Sequence, residues 1–206
     1  DRNIKFIFAT HNYNVGDQDK DLMDEFNIAH FDEKTIKYYE ELVKHLGSCA
    51  RFQLLGSLFA GKTIAGMDNR IAAIRGKMGG YTYYVFSIQP EVLLKIGYVL
   101  HRSEANDGMM PTYQRIIKKA RLKAVHEFIE DHGFFPNSIL ISIDTKNGNP
   151  LRFDLSDKQG NDPVTKLGIL YLPNEYRRAY IIDGQHRLYG YSDSKYARTN
   201  SIPVVA

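Results

Sequence analysis

The 206-residue sequence predicts a mixed α+β chain, and three observations lead there. Short apolar runs bounded by Gly, Pro, Asn and Asp read as strands. Between them lie stretches whose apolar residues recur at helical spacing. There is no internal repeat or low-complexity tract, and at 43% hydrophobic residues the chain can bury a real core, so a globular arrangement is the default.

Residues 4–10 form an apolar run suited to a buried strand, followed by the polar loop 11–17. A short helical pattern then passes through Leu22, Met23 and Phe26, and residues 28–31 read as a second strand. Asp32 is placed to cap a helix whose apolar positions Ile36, Tyr39, Val43 and Leu46 repeat at helical spacing, with Gly47 to end it. Residues 50–59 read as another helix, apolar almost all round, and the Gly-rich stretch 61–80 as the boundary between two domains. Residues 83–88 are a strand, and Pro90 opens a helix to about residue 102 with Leu93, Leu94 and Tyr98 on its buried side. Residues 111–130 read as a helix with Arg115, Lys119 and Lys123 on one face and Ile116, Ala120, Ala124 and Phe128 on another. Residues 138–143 are a strand, 144–162 a polar excursion, 167–172 a strand, and 180–182 a short buried strand. The apolar stretch 202–206 reads as a strand entering a sheet.

A formal net charge of +3 falls short of the excess that would by itself announce a nucleic-acid-binding domain. The single cysteine, Cys49, cannot form an internal disulfide, and no signal-like segment or long apolar run is present. The expectation is a cytoplasmic protein without a membrane span. Because the sequence starts at Asp1 and stops inside an apolar run, it is expected to be a fragment of a longer protein.

The sharpest feature is Tyr180-Ile-Ile182 running straight into Asp183-Gly-Gln-His-Arg187. Gly184 permits a tight turn and close approach of a ligand, and a helix start offers unpaired N–H groups to an anion. His186 and Arg187 add side-chain donors, the arginine fork suiting phosphate oxygens. The plainer reading is that Asp183 caps a helix or Asp-Gly makes a hairpin turn, with the rest in ordinary polar contacts.

The pentapeptide resembles the signature of DGQHR-domain proteins, the DndB-like branch of the ParB/sulfiredoxin-like superfamily. Pro111-Thr-Tyr-Gln-Arg115, Phe135-Pro-Asn-Ser138 and Leu188-Tyr-Gly190 resemble their flanking words. The order is similar to that of ParB-like domains, in which a Q-x-R-like box precedes a helix, a strand comes after it, and a further strand ends in a Gly-Glu-Arg-Arg box on nucleotide phosphates. Sulfiredoxin uses a related Gly-Cys-His-Arg box on ATP. The resemblance covers 71–206 and implies a nucleotide or phosphate site at Asp183, Gly184, Gln185, His186 and Arg187, with Arg115 as a second ligand or a DNA contact. It also implies ATP or CTP with Mg as ligand, DNA as partner, a homodimer, and a setting in DNA modification or phage defence. Gln185 stands where sulfiredoxin has its catalytic cysteine, so sulfinic-acid reduction is not expected. Nucleotide hydrolysis stays open, because a third ParB-like box would fall after Ala206.

Residues 4–46 resemble the closing elements of a restriction-endonuclease-like domain, a partial nuclease-like α/β unit. This divides the chain into 1–62, the C-terminal part of such a domain plus a connecting helix, and 63–206, a DGQHR (ParB-like) domain incomplete at its C-terminus. Asp32-Glu-Lys34 spells the D/E-x-K of a nuclease metal site, but its place at a helix start favours a cap. A nuclease centre is expected outside this chain.

Two further motifs compete. Gly56-Ser-Leu-Phe-Ala-Gly-Lys-Thr63 satisfies the P-loop spelling in full, yet a helical pattern precedes it and Gly66 interrupts the segment after it. The acid-free basic stretch with Lys118, Lys119 and Lys123 could track a DNA backbone, which supports the alternative of a non-catalytic DNA-binding regulator; a solvated helix face is the plainer reading. Gly76-Lys-Met-Gly-Gly80 reads as a connector or a phosphate-approaching loop, and Tyr81, Tyr83 and Tyr84 as strand residues. The histidines show no metal-ligand spacing, and no metal site in the protein itself is expected.

Overall fold

A computed structural model of the chain describes residues 3–99, 118–145 and 150–206. The N-terminal part is a strand-helix-strand-helix unit, as the sequence indicates. β1 (Phe6–Ala9) pairs in parallel with β2 (Ile28–Phe31) across α1 (Asp17–Glu25), and α2 (Glu33–Leu46) comes next. One expectation changes here: β1 is exposed along its length, Phe6 by 67%. Its apolar run forms a strand because the residues suit one, but among the described residues nothing covers it.

α2 buries Leu42 and Leu46, turns at Gly47 through a short 3-10 segment (Gly47–Cys49), and passes into α3 (Ala50–Leu58). α3 is the apolar helix the sequence predicts, with Gln53 fully buried. Inside the Gly-rich stretch lies a strand that its composition does not separate from a connector, β3 (Arg70–Met78). It forms an antiparallel hairpin with β4 (Tyr81–Ile88), turned at Gly79 and Gly80 with φ +57° and +84°. Two positive-φ residues match the right-handed twist of a hairpin, which is why glycines stand there.

α4 (Pro90–Ile96) stops earlier than its pattern suggests, and Tyr98 belongs instead to β5 (Gly97–Tyr98). α5 (Lys119–Glu130) buries Leu122 and Ile129, whereas Phe128 is exposed, so the buried face is rotated from the Ala120, Ala124 and Phe128 face read from spacing. β6 (Ile139–Ile143), β8 (Lys166–Tyr171), β9 (Ala179–Asp183) and β10 (Ile202–Val205) fall where the sequence places strands. β7 (Phe153–Leu155) is hidden in the polar excursion, since three residues are too few to show a period. α6 (Gln185–Gly190) carries the signature.

Apart from the β1-β2 pair, the strands form one eight-stranded mixed sheet in the order β5-β9-β6-β10-β4-β3-β8-β7. β10 sits in the middle, antiparallel to β4 and parallel to β6, with Val204 fully buried. Its pairing with β6 begins at Val204, so the missing N–H of Pro203 falls where that ladder has not started. Leu93, Ile129, Ile141, Ile181, Leu188 and Val204 share one hydrophobic core that also takes in Leu42 and Leu46 of α2. The opposite face of the sheet leaves Ile74, Leu140, Leu167 and Ile169 exposed.

Candidate functional site

The turn after β9 is set by one glycine. Gly184 adopts φ +93° and ψ 12°, in the left-handed region, as N-cap of α6. A Cβ there would come within 2.5 Å of Ile139 Cδ1 and 3.0 Å of Arg187 Nη2, so both backbone and space call for glycine. β9 ends at this point, while β6, antiparallel to it, and β10, parallel to β6, begin there. The signature helix therefore starts over the meeting place of three strand ends.

Arg187 is held from two sides. Its Nη2 donates to Asp183 Oδ2 at 2.9 Å, and its Nη1 donates to the backbone carbonyl of Asn137. These bonds take up two of the five guanidinium N–H groups. The side chain is largely covered, while Asp183 is exposed. Arg187 also forms part of the wall of a cavity of about 320 Å³ beside the start of β10.

His186 points elsewhere and joins two motifs that are far apart in sequence. Its Nε2 accepts the backbone N–H of Lys118 at 3.4 Å. Lys118 is the N-cap of α5, its own side chain makes no capping hydrogen bond, and no acid occupies the first turn. The positive end of a 12-residue helix, with Lys118 and Lys119 exposed, thus lies against the signature helix. α6 has only six residues, so its own dipole contributes little and charge at the turn comes from side chains and from α5. α5 is fixed there by His126 Nδ1 donating to the Gly190 carbonyl at 2.9 Å and by Glu130 accepting from the Ser194 hydroxyl at 2.6 Å.

Behind the signature lies a buried polar lock. The Gln53 amide donates to the Val99 carbonyl at 3.0 Å, accepts the Val99 N–H at 3.2 Å, and accepts the Tyr189 hydroxyl. Burial pushes the Tyr189 phenol well above its usual range, which keeps it a neutral donor. Cys49 donates to the Tyr189 carbonyl at 3.3 Å, and burial raises its thiol, so it is a packing residue and no thiolate nucleophile.

Of the other sequence-predicted residues, Gln185 is buried at the base of the turn, Lys119 is exposed, and Lys123 pairs with Glu127 at 3.6 Å. Arg115 lies outside the described residues. Asp32 caps α2, accepting the Thr35 N–H at 2.8 Å, and its hydrogen bonds with Thr35 hold the carboxyl below its ordinary range. The P-loop spelling starts inside α3, has no strand before it, and leads into turns and an isolated bridge from Thr63 to Glu175. Gly76 lies within β3, packed by the Tyr83 ring. Among the described residues no group of three or more His, Cys, Asp or Glu could hold a metal, and no helix is long and apolar enough to cross a membrane.

Sequence reasoning missed the residues that join Arg187 at the cavity, Phe134, Asn137, Asn200 and Ser201. The word Phe135-Pro-Asn-Ser138 marked the region, but only folding brings it to the signature.

The family model described as DNA-sulfur modification-associated, DndB, matches residues 71–205. The chain belongs to the DndB family. The matched span runs from the second residue of β3 to the last of β10, so it takes in the sheet and the signature turn and leaves β1 through α3 outside. DndB membership makes this a DNA-associated protein with a role in DNA-sulfur modification. No curated protein and no solved structure matches the chain.

Proposed function

We propose that this DndB-family chain is a phosphate-binding module whose ligand is a nucleotide, ATP or CTP with Mg, held where the signature helix meets the first turn of α5. One observation carries the reading: the Lys118 N–H to His186 contact, which brings a lysine-bearing helix start with no acid in its first turn onto the Asp183 to Arg187 turn. A phosphate there meets the positive end of the α5 dipole beside the exposed Lys118 and Lys119, with Arg187 at the next position of the signature helix. Because the described residues form no metal cage of their own, Mg would arrive on the phosphates.

Calorimetric titration of the protein with ATP and CTP in Mg buffer tests this, beside Arg187→Ala and Lys62→Ala. Loss of a charge-assisted contact weakens binding roughly tenfold or more, so Arg187→Ala is expected to do that while Lys62→Ala leaves affinity unchanged. The reverse pattern would assign the nucleotide to residues 56–63 instead.

A second reading, a non-catalytic DNA-binding regulator, is favoured by the exposure of Lys118, Lys119 and Lys123 on one end of α5. It predicts that nucleotides do not bind, and that Lys119→Ala and Lys123→Ala each weaken duplex DNA and lower its salt dependence by about one counterion.

A further inference from the structure

Apart from Arg187, the cavity beside the signature helix is built from segments that the phosphate reading does not use. Its volume of about 320 Å³ lies at the lower end of the range for small-molecule sites. Asn137, Asn200 and Ser201 line it on one side, and Ile139 and Pro203 give it an apolar side. Phe134 stands at its wall and is 78% exposed.

That exposure is fixed by the backbone around it. The Gly133 N–H donates to the Phe128 carbonyl at 2.7 Å, and His132 before it adopts φ +61°, the left-handed turn that commonly ends a helix. Phe135 packs inward on Phe128, ring centroids 4.9 Å apart, which leaves Phe134 the outward position. The opposite wall is equally ordered: the Asn200 N–H donates to the Tyr196 carbonyl at 2.9 Å, and its amide nitrogen donates to the Tyr191 hydroxyl at 3.4 Å. An exposed phenylalanine, two asparagines and an arginine lining one small cavity match a flat heteroaromatic base on a charged group.

We infer that this cavity takes the nucleoside part of a nucleoside phosphate, its base against Phe134 and its polar edge toward Asn137 and Asn200, with the phosphate at Arg187. The inference rests on the phosphate reading above and adds the recognition of the base. The same chemistry has two sources, a free nucleotide and an unpaired nucleotide of a DNA strand.

Phe134→Ala and Asn200→Ala, each checked for folding by circular dichroism, are titrated with ATP, CTP, inorganic tripolyphosphate, adenosine, cytidine and a short single-stranded oligodeoxynucleotide. Stacking losses are expected to weaken ATP, CTP or the oligonucleotide about tenfold, leaving tripolyphosphate unchanged. Preference for free nucleotides or for the oligonucleotide identifies the source. Unchanged affinity for every nucleoside-bearing probe, or an equal loss for tripolyphosphate, overturns the inference. Nucleoside binding that falls in Phe134→Ala while tripolyphosphate never binds would uphold the cavity and remove the phosphate reading; no binding of any probe removes both.

Discussion

Asp183 at the end of β9 and Arg187 in α6 form an ion pair across the Gly184 turn, with opposite surroundings at its two ends. The carboxylate is solvated, while the guanidinium is pinned between it and the Asn137 carbonyl. An exposed carboxylate contributes little to stability, about 0.2–1 kcal/mol, yet it competes with any incoming anion for the same donor. Asp183→Asn is therefore expected to leave the urea midpoint nearly unchanged and to raise tripolyphosphate affinity several-fold by calorimetry. A fall in affinity would instead give that carboxylate a direct part in holding the ligand.

At the scale of elements, the site depends on α5 lying along α6. Ile129 anchors that packing at 1% exposure, and Gly190 faces Val125 and Ile129 so closely that a larger residue would not fit without movement. Ile129→Ala removes buried methylenes at the far end of α5 from Lys118, at an expected destabilisation of about 2–5 kcal/mol in chemical denaturation. At low denaturant the variant is also expected to bind nucleotide more weakly than wild type, because a loosened α5 no longer holds its first turn against His186. Stability loss with unaltered affinity would show that α5 takes no part in binding.

For the whole molecule, the junction between α2–α3 and the sheet is polar as well as apolar. Asp193, just after α6, accepts from Arg51 Nη2 at 2.7 Å and from the Ser48 hydroxyl. The Arg51 and Ser48 hydrogen bonds hold its carboxyl below the ordinary value of 3.8. A lowered carboxylate stabilises the fold above its unfolded pKa, and that contribution disappears as pH falls through the lower folded value. Both partners are about half exposed, so the effect is screened to about 0.2–1 kcal/mol. Thermal melts from pH 6 down to pH 2.5 are expected to converge for wild type and Asp193→Asn at the acid end, with wild type the more stable above pH 4. A constant gap at all pH values would assign the effect to packing.

Local chemistry made much of this protein readable from its residues alone: the N-cap at Asp32, the strands at β4, β6, β8, β9 and β10, the helix α3, and the turn at Gly184 all arise from short-range propensity and pattern. Where the pattern failed, a long-range contact had decided. Gly97 and Tyr98, expected inside the helix after Pro90, became β5 because β9 pairs with them, the buried face of α5 turned toward α6, and β7 exists through its ladder to β8. The site divides along the same line. Its glycine, histidine and arginine could be named from one pentapeptide, because a left-handed turn and its donors are local. The meeting of His186 with Lys118 and of Arg187 with Asn137, and the cavity between Phe134 and Asn200, exist only because the sheet order brings residues 118–137 and 199–203 to the end of β9. Sequence spacing carries no record of such neighbours, since side chains tens of residues apart meet only once the core has packed.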